Sequence, residues 1–290
     1  MVDKITINDN ELTEIFQNRI NQLNNENRNS EIFIYNDQIL KIYMNTDEMY
    51  KYNIDVIKEL VNHYDSLKSI KELILPNSII LYNDRVVGYR MSYVKGITLE
   101  DAISNNLLTE EEMKIIFKKI LKIIDKLKEL SLDIFIGDLH EKNVIIDDKL
   151  NISIIDSDSF VINNHKLIVE GTPQIGKYPN NNYNDNALKI INISADYMSL
   201  LSMILNYMFK NAIMEKEKPL VYIKEHREFN SLKYLIKRVD KLNNFYLTEE
   251  DIDTLFVLKN TIKIKKDKKV EKRLIKEIKR IRNISNKKSL

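Results

Sequence analysis

Residues 136–160, IGDLHEKNVIIDDKLNISIIDSDSF, constrain this chain more tightly than any other stretch. Two short apolar runs, Val144-Ile145-Ile146 and Ile152-Ser153-Ile154-Ile155, flank a polar Asp-Asp-Lys-Leu-Asn segment, which predicts a β-hairpin. Acidic and amide side chains stand at both of its mouths. Asp138 lies five residues before Asn143, and Asn143 lies thirteen before Asp156. A proton acceptor, an amide oxygen and a carboxylate are thus collected around one rigid hairpin. Such a set suits phosphoryl transfer, where the protein holds Mg²⁺ with hard oxygen ligands and places a hydroxyl acceptor in line.

At these residues the chain resembles the protein-kinase-like superfamily, whose catalytic loop runs Asp-x-x-x-x-Asn and whose next strand ends in a metal-binding aspartate. The wording Gly137-Asp138-Leu139-His140 is also similar to aminoglycoside and choline kinases. Asp156-Ser157-Asp158-Ser159-Phe160 looks like a divergent bacterial Ser/Thr-kinase-like group. The resemblance implies Asp138 as catalytic base with His140 beside it, Asn143 and Asp156 as Mg²⁺ ligands, and ATP as the phosphoryl donor. It also implies an α+β, bilobal fold with a small antiparallel-sheet N-lobe and a mainly helical C-lobe.

Composition excludes several other chemistries. The 290 residues contain no cysteine, so disulfides, thiolate zinc sites and a cysteine nucleophile are all ruled out, and the four histidines are scattered. With 43% hydrophobic and 30% charged residues, the chain can bury a sizeable core. The start, MVDKITINDNELTEIF, lacks the plan of a signal peptide, and the longest apolar run, residues 197–209, is short and interrupted by Asn206. The expectation is a cytoplasmic protein with no membrane span.

Ahead of the hairpin, Leu12, Ile15, Phe16, Ile20 and Leu23 read as a short amphipathic helix that precedes an Asn-rich segment. Two strand pairs follow, EIFIY with QILKIYM and IILY with VVGYRMSY, enclosing a helix at roughly 46–64. This is the order of a kinase small lobe. The alternation Ile39, Lys41, Tyr43 sets Lys41 on one strand face, and the resemblance makes it the lysine that contacts the ATP phosphates. The helix acid that would pair with Lys41 is Glu59, Glu48 or Asp55. The glycine-rich phosphate loop of kinases has no counterpart, because the first 87 residues contain no glycine; Asn24, Asn25, Asn27 and Asn29 are the available turn formers. Met91-Ser92-Tyr93-Val94-Lys95-Gly96 resembles the inter-lobe hinge, which implies adenine binding by the backbone of Ser92 and Val94, with Ile145 completing the nucleotide site.

Beyond the hinge, Thr98 with Asp101, Thr109 with Glu112, and Thr248 with Asp251 have the spacing of helix-capping boxes. Ser194-Ala195-Asp196-Tyr197 opens a strongly apolar helix in which the resemblance makes Asp196 a structural anchor for the catalytic loop. A further helix is predicted near 230–243. Gly171-Thr172-Pro173 through Pro179 is similar to the close of a kinase activation segment, with Asn180 where a glutamate is expected. The organisation that follows is an N-terminal extension and small lobe over 1–93, a hinge at 94–97, a large lobe over 98–262 and a basic tail over 263–290. That tail holds 13 Lys/Arg against 3 Asp/Glu, a surplus of +10 that leaves about −8 for the rest of a chain whose net charge is +2. Val270, Leu274, Ile278 and Ile281 make it an amphipathic helix, either packed or facing an acidic partner, nucleic acid or an anionic surface.

The leading expectation is therefore an ATP- and Mg²⁺-dependent kinase that phosphorylates Ser/Thr hydroxyls of a protein substrate. The alternatives are a kinase for a small hydroxylated substrate of the aminoglycoside or choline type, and a pseudokinase that serves as a binding module.

Overall fold

Alternating apolar residues in the first strands give a sheet that can be buried on both faces, and the helices beside it supply the covers. The computed structural model describes residues 4–17, 30–35, 38–43, 48–163, 193–209, 234–235, 237–238 and 244–261. Its architecture is mixed α+β, with a mainly antiparallel sheet and several helices, compatible with a two-lobed fold. The chain divides into two compact units: residues 1–99, 130–136 and 142–169 form one, and residues 100–129, 137–141 and 170–290 form the other.

The first unit contains a five-stranded sheet built from β1 (Lys4–Thr6), β2 (Ser30–Tyr35), β3 (Gln38–Tyr43), β4 (Ser78–Tyr82) and β5 (Arg85–Ser92), in the order β1-β4-β5-β3-β2. The two expected strand pairs are present. Tyr35 faces Gln38 at the close of β2–β3, and β4 joins β5 through Asn83 and Asp84, both with positive φ (48° and 59°), the conformation a tight two-residue hairpin turn requires. The edge strand β1 runs parallel to β4, a pairing that three residues of sequence could not announce.

On one sheet face, α1 (Asp9–Gln17) brings Ile15 against Ile7, Phe33, Leu40, Ile42 and Ile80. Its start is fixed by Asn8, whose Oδ1 accepts from the N–H groups of Asn10 and Glu11, while Glu11 accepts from Asn8 N–H in return. On the other face, α2 (Glu48–Asn62) packs Ile54, Ile57 and Val61 against Ile39, Tyr43, Ile79, Tyr89 and Met91. Each such fully buried side chain contributes about 1.5–3 kcal/mol, which is why this helix stays on the sheet. A short helix, α3 (Tyr64–Leu67), leads back toward β4.

The same unit holds the predicted hairpin. β8 (Val144–Ile146) pairs with β9 (Ile152–Ile154), and β6 (Ile97–Thr98) extends it to three strands. Its turn is closed by Asp147, whose carboxylate accepts from the N–H groups of Lys149 and Asn151 and from the Asn151 amide. A second pair joins β7 (Ile134–Phe135) to β10 (Val161–Ile162).

Helices dominate the second unit. α4 (Leu99–Ser104) leads to α5 (Glu110–Glu129), which starts on the expected capping box: Thr109 N–H donates to Glu112 at 2.7 Å and Glu112 N–H to Thr109 Oγ1 at 3.3 Å. The apolar face of α5 is buried from Met113 to Leu127 against α6 (Ser194–Phe209) and α7 (Glu249–Thr261), with Phe117, Tyr207 and Phe256 forming a ring cluster. Thr248 and Asp251 cap α7 in the same reciprocal way. Residues 234, 235, 237 and 238 are helical, as expected near 230–243. The Asn-rich run, the activation-like segment at 171–180 and the basic tail lie outside the described residues. Among the described residues, no helix is long and apolar enough to cross a membrane.

Candidate active site

Strand alternation puts Lys41 on the α2-facing side of the sheet with Ile39 and Tyr43, where its side chain is only 4% exposed. A buried ammonium needs a compensating charge, and here two carboxylates supply it. Lys41 Nζ donates to Asp156 Oδ1 at 2.5 Å and to Asp158 Oδ1 at 2.8 Å, although both lie more than a hundred residues away in sequence. Burial works against the charged lysine, but the two acids outweigh it and hold Lys41 well above its usual range.

The backbone explains how two acids separated by one residue reach the same nitrogen. Just past the end of β9, Asp156 turns into the left-handed region (φ 65°, ψ 44°), a conformation that aspartate tolerates better than most residues. A 3₁₀ turn, Ser157–Ser159, follows at once and is tied back when Ser159 N–H and Oγ both donate to the Asp156 carbonyl. Asp158 is thereby folded inward.

The two carboxylates sit in different environments. Asp158 is 4% exposed, and besides Lys41 it accepts from Tyr43 OH at 2.6 Å, Tyr89 OH at 3.1 Å and Asn53 Nδ2 at 3.5 Å. Burial pushes its pKa up, yet Lys41 and Tyr43 outweigh burial and leave it below the usual carboxylate range. Asp156, at 26% exposure, goes the other way: burial and the neighbouring Asp158 prevail over Lys41 and raise it. Lys41 is thus shared between two carboxylates, of which Asp158 is the more deeply buried and Asp156 the more exposed.

Asn143 ends a 3₁₀ turn, Glu141–Asn143, and is buried. Its carbonyl accepts from Ile155 N–H at 3.0 Å, so the amide side chain and Asp156 arise from adjacent backbones. Among the described residues no cluster of three or more His, Cys, Asp or Glu side chains could hold a metal ion. Mg²⁺ on a nucleotide does not need one; it takes one or two protein oxygens and completes its octahedron with phosphates and water. Asn143 and Asp156 would offer such an ion one amide oxygen and one carboxylate oxygen.

Ser92, Val94 and Ile145, the positions expected at the nucleotide, all belong to the first unit. Ser92 ends β5, Val94 follows it, and Gly96 lies so close to β8 that an added Cβ would meet Ile145 Cγ2 at 2.6 Å and the Ile146 carbonyl at 2.4 Å. Asp138 and His140 belong to the second unit, where His140 Nε2 stands 3.4 Å from Asp138 Oδ2. There Gly137, at φ 75°, donates its N–H to the buried Asp196 Oδ1 at 3.0 Å.

Of the three acids considered for Lys41 on α2, Asp55 lies 3.5 Å from Lys58, and Glu59 accepts from Asn163 at 2.9 Å and lies 3.6 Å from His63. The Glu48 side chain lies outside the described residues. Asp158 was the acid that sequence reasoning passed over as a partner for Lys41. Its signals were the Asp-x-Asp spacing after an apolar strand, and tyrosines at Tyr43, two residues along the same strand face, and Tyr89, directly across from Lys41.

One third of the chain is similar to a kinase. Over 105 residues, 34% of this chain, it is 33% identical to the Probable serine/threonine-protein kinase mkcE of Dictyostelium discoideum. The chain spans 14% of that relative's length. No family model matches the chain. The relationship to kinases is thus partial.

Proposed function

We propose that this protein is an ATP- and Mg²⁺-dependent phosphotransferase that transfers the γ-phosphate to a hydroxyl, with Ser/Thr side chains of a protein as acceptors. One observation carries the reading: a buried strand lysine, Lys41, meets Asp156 at the end of a hairpin whose first strand begins directly after Asn143. The partial similarity to a serine/threonine kinase supports the same class of chemistry.

In this reading Lys41 would contact the phosphate oxygens of the nucleotide, and Asn143 with Asp156 would hold the metal. Mg²⁺, when bound, supplies charge neutralisation at the transferring phosphate. Asp138 accepts the proton of the attacking hydroxyl, and His140, 3.4 Å away, orients that carboxylate. The backbone at Ser92 and Val94 takes the adenine edge, and Ile145 packs against the ring. The base stands on a braced loop, because Asp196 fixes the preceding Gly137.

Incubation with labelled ATP, Mg²⁺ and two acceptor sets, mixed proteins and mixed aminoglycosides or choline, tests the reading. Label in Ser/Thr of protein supports it. Label confined to small molecules moves the acceptor class, in keeping with the Gly137-Asp138-Leu139-His140 wording. Binding of Mg·ATP without transfer to any acceptor, including the protein itself, turns it into a nucleotide-binding module.

A further inference from the structure

We infer that Asp158 is the dedicated anchor of Lys41, doing from the 3₁₀ turn after the metal ligand what an acidic residue on α2 would otherwise do. This rests on the phosphotransferase reading for its functional meaning, and on geometry alone for the pairing. A lysine that must reach a nucleotide needs one counter-charge that stays with it after the metal has claimed the other carboxylate. Asp156 cannot fill that role, since it is the partly exposed acid assigned to the ion. Asp158 can: it is buried with Lys41 at 2.8 Å and held from behind by Tyr43, Tyr89 and Asn53.

The helix corroborates the exchange. Among the described α2 side chains, Asn53 reaches this cluster, and its neutral amide donates toward Asp158. Asp55 and Glu59 are engaged with Lys58 and with Asn163 and His63. Among the described side chains, the acids that meet Lys41 lie at the turn, and the helix presents a donor toward Asp158. Because the anchor is two residues from the metal ligand on one tied turn, lysine and metal site are aligned together without a separate adjustment of α2. Asp158 is a positioning residue, acting through Lys41.

Without Asp158 the lysine keeps, among the described residues, Asp156 as its acidic partner and would compete there with Mg²⁺. The test has two readouts. In the metal-free protein, thermal unfolding of Lys41→Met, Asp158→Asn and the double variant is expected to give strongly non-additive losses of Tm, since the two groups act as one unit. In the second, calorimetric binding of Mg·ADP is expected to weaken about tenfold in Asp158→Ala, the loss of one charge-assisted bond. Returning the carboxylate to the helix, as Asn53→Glu in the Asp158→Ala background, is expected to restore most of that affinity.

Additive Tm losses overturn the inference. So does a folded swap variant that binds Mg·ADP as weakly as Asp158→Ala, or a loss in Glu59→Gln as large as that in Asp158→Ala, which would return the role to the helix. Wild-type protein that binds no Mg·ADP sinks the phosphotransferase reading instead, and the unfolding cycle then decides the pairing by itself.

Discussion

The backbone N–H of Gly137 donates to Asp196 Oδ1 at 3.0 Å, so the residue before the candidate base is tied to the first turn of a buried helix. Both partners are inaccessible to water. Removing the acceptor in Asp196→Ala leaves a buried donor without its carboxylate, at a cost of about 1–3 kcal/mol. A lower Tm and slower transfer are expected together, with Asp196→Asn, which keeps an acceptor oxygen, milder in both. Equal Tm values for wild type and Asp196→Ala would show that the loop is fixed by other means.

Asp138→Asn is expected to reduce transfer by about 10²–10⁴-fold while Mg·ATP affinity stays near that of wild type. The separation follows from the roles assigned: the hydroxyl loses its proton acceptor, but Lys41, Asn143 and Asp156 remain. Single-turnover rates and calorimetric affinities on the same preparation check it. Near-normal turnover would remove Asp138 from the base role.

Gly88 supports Lys41 from the neighbouring strand. It lies opposite Ile42, and a Cβ there would stand 2.0 Å from the Lys41 carbonyl oxygen. Gly88→Ala must therefore push β3 and β5 apart, an overpacking cost of about 1–3 kcal/mol. Denaturant unfolding should register that loss, accompanied by weaker Mg·ATP binding as Lys41 shifts. Unchanged stability would mean that the strands separate freely.

Between α5 and α7, Asp253 lies 2.8 Å from the ammonium groups of both Lys114 and Lys118. Burial opposes its charge, but the two lysines outweigh burial and hold the carboxyl below its usual range. An acid depressed in this way contributes stability above its unfolded pKa of about 3.9, and that contribution disappears as pH falls through the lower folded value. Its carboxylate is 42% exposed, so solvent screening limits the effect to about 0.5–1 kcal/mol. Wild type should exceed Asp253→Asn in stability at pH 7, and the gap should close in acid. A gap that persists undiminished in strong acid would assign it to packing.

In the proposed kinase reading, Gly137 takes the place where kinases controlled by loop phosphorylation generally carry an arginine to pair with the phosphate. Ser157 is fully buried and Ser159 gives its hydroxyl to the Asp156 carbonyl, so neither is poised for modification; Thr172 lies outside the described residues. Phosphatase treatment of bacterially expressed protein is expected to leave the initial rate of transfer unchanged. Loss of rate, with recovery on re-phosphorylation, would require another basic residue such as Lys142 or Lys177 in the arginine's place.

Much of the local structure was written in adjacent residues. Alternating apolar residues and Asn-Asp dipeptides determined both strand pairs of the sheet. Thr109 with Glu112 and Thr248 with Asp251 determined two helix starts, and the run from Met113 to Leu127 determined a buried helix. These signals act over a few residues, so backbone hydrogen bonding and side-chain period suffice to read them. The spacing of Asn143 and Asp156 is of the same kind, because one hairpin separates them.

Only the tertiary structure decided which acid belongs to Lys41. Glu48, Asp55, Glu59, Asp156 and Asp158 are equivalent as sequence symbols, and the kinase resemblance pointed to an acid on α2. Both acids that meet Lys41 are brought to it by the left-handed turn at Asp156, and tyrosines from two different strands hold the more buried of them, Asp158. The parallel pairing of β1 with β4 was hidden for a related reason, since its three residues gain their partner from a strand more than seventy positions away. Sequence determined the pieces and their chemistry; long-range packing decided which charges meet.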